Sequence, residues 1–169
     1  MLNTKMKPTL YLLIFLLSTP TISADITQER MEEVVQRGTQ VMPFNLDKTM
    51  HIFSKTELGG IQQVIAKDES DGRQIDLVRK HLTEISQQFT QRNFSGPEHI
   101  HGKDMPGLMA LRNAEPDAIS IIYSELDNGA QIEYFSTKTN LVNAIHQWFD
   151  AQLKDHARHA MPGHDMHHK

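Results

Sequence analysis

Cysteine is absent from the 169-residue chain. That excludes disulfide bonds, a thiol nucleophile, thiolate metal sites and a lipid anchor carried on a processed cysteine. Long apolar runs are missing as well. The longest, Leu10 to Leu17, falls well short of the roughly 20 residues that cross a bilayer. Basic residues number 17 against 21 acidic ones, and an excess of negative charge argues against a duplex nucleic-acid partner, which requires clustered Lys and Arg. No Gly-x-Ser-x-Gly turn, His-Glu-x-x-His helix, phosphate-binding glycine loop or dinucleotide fingerprint occurs in the chain, so none of the chemistries those motifs support is indicated.

What is present begins with a targeting pattern. Lys5 and Lys7 precede the apolar stretch Leu10–Leu17, Pro20 breaks it, and Ala24 offers a small residue at a cleavage point. The pattern predicts a signal peptide over residues 1–24 and a periplasmic or otherwise secreted protein with no stable membrane anchor after cleavage. A retained anchor is the alternative. Cleavage leaves 15 basic and 21 acidic side chains and a formal charge of −6. At the other end, residues 156–169 hold His156, His159, His164, His167 and His168 with Met161 and Met166. Apolar periodicity stops at Leu153, so this stretch reads as a disordered His/Met-rich tail, or as an interrupted purification tag.

Residues 25–155 read as a single α+β domain. Residues 25–42 predict a short N-terminal helix with Thr27 as a candidate cap. Residues 49–55 and 61–67 are rich in β-branched and aromatic residues and flank Gly59-Gly60, which predicts a hairpin. Ile75, Val78, Leu82, Ile85 and Phe89 recur at helical spacing behind Asp71, a candidate N-cap. Residues 93–107 contain Gly96-Pro97 and read as a loop or short extended piece before a short helix at 108–112. Asn128-Gly129 predicts a second hairpin between residues 119–126 and 130–135. Val142, Ile145, Trp148, Phe149 and Leu153 mark a closing helix. The expected architecture is a four-stranded antiparallel sheet made of two β-hairpins, in ββα-ββα order, with two main helices on one face.

Five histidines fall inside this domain: His51, His81, His99, His101 and His146. If residues 99–101 are extended, His99 and His101 point to one side and supply two ligands of a metal centre. His81 and His51 would complete it. Imidazole and thioether suit copper, and imidazole suits zinc. Each ring also has a plainer reading, as a hydrogen-bonding or surface residue. Glu98 and Asp104 are placed to orient an imidazole or to act with one as a base, while Met105 and Met109 read first as core packing.

Pro43-Phe44-Asn45-Leu46, His51-Ile52-Phe53-Ser54-Lys55-Thr56, Gly59-Gly60-Ile61-Gln62, His81-Leu82, Ile100-His101-Gly102, Met105-Pro106-Gly107-Leu108 and Trp148 to His156 together resemble a family of small secreted bacterial proteins often labelled aspartate carbamoyltransferase. The resemblance implies that His51, His81 and His101 belong to a family pattern. It implies no carbamoyl transfer, because the arginine-rich carbamoyl-phosphate loop and the second domain of that enzyme are lacking.

Three functions follow from these features. The first is a metal-binding or metal-handling protein with copper or zinc as cofactor and partner, using His51, His81, His99 and His101 in the domain and His156, His159, His164, His167 and His168 in the tail. The second is a metal-assisted hydrolase, its catalytic residues unassigned. The third is a metal-free envelope binding module, with an apolar groove lined by Phe53, Met105 and Met109. A homodimer is compatible with each.

Overall fold

The computed structural model describes residues 22–163. Helix α1 (Ile22–Val41) leads into a 3₁₀ turn at Leu46–Lys48 and the hairpin β1 (Thr49–Thr56) and β2 (Gly59–Ala66). Helix α2 (Gly72–Thr90), the short helices α3 (Ser95–His101) and α4 (Leu108–Arg112), and a second hairpin, β3 (Ser120–Leu126) and β4 (Gly129–Phe135), follow. Helix α5 (Thr139–His156), a 3₁₀ turn at Ala157–His159 and strand β5 (Ala160–Pro162) complete the order. The predicted signal peptide lies outside the described residues up to position 21, and its Ala24 boundary falls within the first turn of α1.

The sheet runs β3-β4-β2-β1-β5. Its hairpins pair antiparallel, β2 joins β4 antiparallel, and β5 lies parallel to β1 with His51 opposite Ala160. Period-two alternation puts His51, Phe53, Gln62, Val64, Ala130, Ile132 and Tyr134 on one buried face. There α2 and α5 lay down their apolar stripes. Val78, Leu82 and Phe89 come from the first, and Ile145, Trp148 and Phe149 from the second. Asp71 caps α2 by accepting from the Gln74 amide. Trp148 meets the rings of Phe89, Phe94 and Tyr134 edge-on, with centroids 5.5–5.8 Å away, an arrangement that suits their opposed quadrupoles. Helix α1 packs on α3 and α5.

Gly129 and Gly107 are among the glycines that close approach requires. A Cβ at Gly129 would stand 2.1 Å from the Val64 carbonyl oxygen, and one at Gly107 would stand 2.1 Å from that of Ala144. The first lets β4 close on β2, and the second lets the start of α4 touch α5.

The architecture departs from the four-stranded, two-helix expectation. Among the described residues there are five strands in a mixed sheet and five α-helices. Two local facts explain the difference. Pro97 sits in the first turn of α3, where its missing N–H has no intrahelical partner to lose, so Gly96-Pro97 starts a helix and does not break one. Residues 156–163, expected within a disordered tail, instead finish α5 and pair with the free edge of β1. The Gly163 amide donates to the Phe53 carbonyl at 2.9 Å. A three-residue edge strand draws on the backbone groups of its neighbour and needs no apolar period of its own.

Candidate functional site

Helix α3 decides how the histidines fall. Residues two apart on a helix diverge by about 200°, so His99 and His101 do not share a side. His99 is exposed and its Nε2 meets the Gln40 side-chain oxygen at 3.2 Å. His101 turns inward and is buried. Its Nδ1 lies 2.9 Å from Asp155 Oδ2, which also accepts from Arg30 at 2.8 Å. Arg30 donates in addition to the His101 carbonyl at 2.6 Å. Burial opposes the Asp155 charge, yet the His101 and Arg30 hydrogen bonds hold its carboxyl below the ordinary carboxylate range.

Inside this pair lies a cluster of buried rings. His156 stacks on His51 with centroids 4.9 Å apart and planes 5° from parallel, and His101 meets His156 edge-on at the same separation. Phe44 contacts both His51 and His81. His159 is fully buried, with Nε2 2.8 Å from Asp47 Oδ1, and this bond holds the Asp47 carboxyl below its usual value. Burial pushes His51 and His81 down to about 4, and it carries His156 well below the ordinary histidine value, helped by the neighbouring His51, His101 and His159. These three rings are therefore neutral at physiological pH.

The rings gather but do not form a metal centre. Among the described residues no group of three or more His, Asp or Glu is placed to hold a metal ion. Ring lone pairs lie in the ring plane, so the stacked rings of His51 and His156 aim theirs along parallel planes and not at one point. Asp155 occupies one nitrogen of His101, Asp47 occupies one of His159, and His99 lies on the far side of its helix. The metal-handling reading, copper and zinc as cofactor or partner, and the metal-assisted hydrolase are corrected accordingly. His164, His167 and His168 lie outside the described residues. Glu98 pairs with Arg112 at 2.8 Å, and Asp104 lines a separate cleft with His101, Lys103 and Lys154. The groove expected from Phe53, Met105 and Met109 is not formed, since the first two are buried and Met109 is 62% exposed. His146 is structural, its Nε2 lying 3.0 and 2.9 Å from the Thr56 and Gly59 carbonyl oxygens.

The histidines instead line a pocket. Its polar wall is His51, His81, His101, His156, Gln62 and Gln152, and its apolar wall includes Val64, Leu82, Phe89, Ile100 and Trp148. Val41, Met42, Gly96 and Pro97 stand at the side where α1 and α3 meet. The cavity measures about 40 Å³, room for about three water-sized groups. Trp148, Gln152 and His156 recur every four residues and share one face of α5. Four lining side chains carry a buried polar atom with no hydrogen-bond partner among the described residues: His51 Nδ1, Trp148 Nε1, Gln152 Oε1 and His156 Nδ1. Sequence reasoning missed Gln152, Gln62, Asp155 and Arg30. Gln152 carried a signal, because an amide four residues after Trp148 interrupts an otherwise apolar helical stripe.

Comparison with family models, curated proteins and solved structures returns no match.

Proposed function

We propose that the chain is a binding module for a small ligand, held in the pocket between α2, α3, α5 and the sheet without a metal ion. One observation carries the reading. Four side chains that are each more than nine-tenths buried line a single pocket, and each leaves a polar atom unpaired. An unpaired buried polar atom costs about 1–3 kcal/mol, so four around one cavity describe a surface complementary to a polar guest. The apolar wall supplies the non-directional part of such binding.

Native mass spectrometry of the purified protein tests this. A small-molecule adduct is expected, and its extract, returned to the stripped protein, shifts the emission of Trp148, the one tryptophan in the chain. Unchanged emission, together with a crystal structure showing only water in the pocket, overturns the proposal.

The N-terminal pattern of Lys5, Lys7, the Leu10–Leu17 stretch and Ala24 supports placing this binding outside the cytoplasm. N-terminal sequencing of protein from the envelope or medium is expected to begin at Asp25. Intact Met1 on cytoplasmic protein overturns that placement.

A further inference from the structure

We infer that the buried head group of the ligand is uncharged and carries a hydrogen-bond acceptor, as a primary amide does. The inference rests on the pocket reading and names the chemistry of its guest. Trp148 Nε1 only donates, whereas the Gln152 amide, oriented by no hydrogen bond among the described residues, presents its oxygen or its NH2 according to which way it is turned. They belong to residues four apart on one helix, which places their side chains on neighbouring ground. A head group that satisfies both must offer an acceptor to the indole, and the amide can meet either a donor or an acceptor. The Nδ1 atoms of His51 and His156 take either role, according to tautomer.

Charge points the same way. Among the described residues, no Lys, Arg, Asp or Glu lines the pocket. The Arg30–Asp155 ion pair lies behind His101, to which Asp155 is also hydrogen-bonded. A carboxylate could accept from Trp148 Nε1 and from the Gln152 NH2, but would enter without a countercharge. An ammonium would bring donors only and leave Trp148 Nε1 unpaired. Either ion loses its hydration with no compensating charge. Burial keeps the His51 and His156 rings neutral, so they supply no countercharge either. A cavity of about 40 Å³ takes a head group of about three or four non-hydrogen atoms.

Acetamide, acetate and ethylammonium are near-isosteres that separate these cases. Each is titrated into the full chain at pH 7.5 while the single indole N–H resonance of Trp148 is followed by NMR. Acetamide is expected to move that resonance saturably, with the two ions at least 30-fold weaker. Gln152→Leu is expected to weaken acetamide at least 10-fold, and the wild-type series stands even if that variant fails to fold. Acetate or ethylammonium binding as tightly as acetamide overturns the uncharged head group and leaves the pocket reading intact. A resonance unmoved by all three probes and by the extract of purified protein overturns both.

Discussion

Burial, more than any partner, keeps His51, His81 and His156 without charge, and this sets how the protein responds to acid. In the unfolded chain these rings take up a proton near 6.5, whereas in the fold His51 and His81 do so only at about 4. Between those values the unfolded state binds more protons, so stability falls as pH drops from 6.5 to about 4 and the loss from these rings then levels off. The shifts correspond to something on the order of 3 kcal/mol for each of His51 and His81. Urea midpoints are expected to drop steeply between pH 7 and 4.5, and a flat profile across that window would contradict the neutral cluster. Asp155, held below its ordinary value by His101 and Arg30, adds its own loss only at more acidic pH. At the end of α5, Ala157 adopts φ 43° and ψ −111°, a conformation that glycine reaches without the Cβ penalty. Ala157→Gly is therefore expected to raise stability by about 1 kcal/mol, read from the urea midpoint at constant slope.

At the scale of elements, the hairpins, α2 and α5 were legible because each carries a period long enough to declare itself. Asp71 before Ile75, Val78 and Leu82 states both where α2 starts and which face it buries. Helix α3 was not legible, since Gly96-Pro97 marks a turn in most contexts and a proline in a first turn leaves no separate trace. That one element altered the site, moving His99 from beside His101 to the opposite side. Strand β5 was illegible for another reason. Three residues carry no pattern, and their pairing is imposed by the edge of β1. Removing residues 160–169 is expected to lower stability by roughly 1–3 kcal/mol, at about 0.5–1.5 kcal/mol per lost backbone bond. Hydrogen exchange would report it as faster exchange in β1. It should also raise the His51 titration toward the ordinary value, because solvent gains access to the ring. Gly107→Ala meets the Ala144 carbonyl in a left-handed position with φ 78°, and a loss of at least ~2 kcal/mol is expected on thermal unfolding.

For the molecule as a whole, the gathering of His51, His81, His101 and His156 around one pocket was half visible. The sequence reading joined His51, His81 and His101, but left His156 to a tail. It could not supply the ring planes, which follow from a strand, a short helix and a helix end meeting at set angles, and those planes separate a stacked neutral cluster from a coordination sphere. Dialysis against EDTA is accordingly expected to leave the melting temperature of the domain within about 1 °C of its starting value, since a ligand lost from the native state would lower it by mass action. A larger drop would restore a structural metal. The parallel pairing of His51 with Ala160 has a consequence for how the chain reaches this state. Its two strands lie more than a hundred residues apart, and contacts of such separation form late, after loop closure has been overcome. This edge of the sheet is thus completed in the last stage of folding. Until then β1 presents a bare edge to neighbouring chains, so the short strand that closes the sheet also ends the period in which the protein is most prone to aggregate.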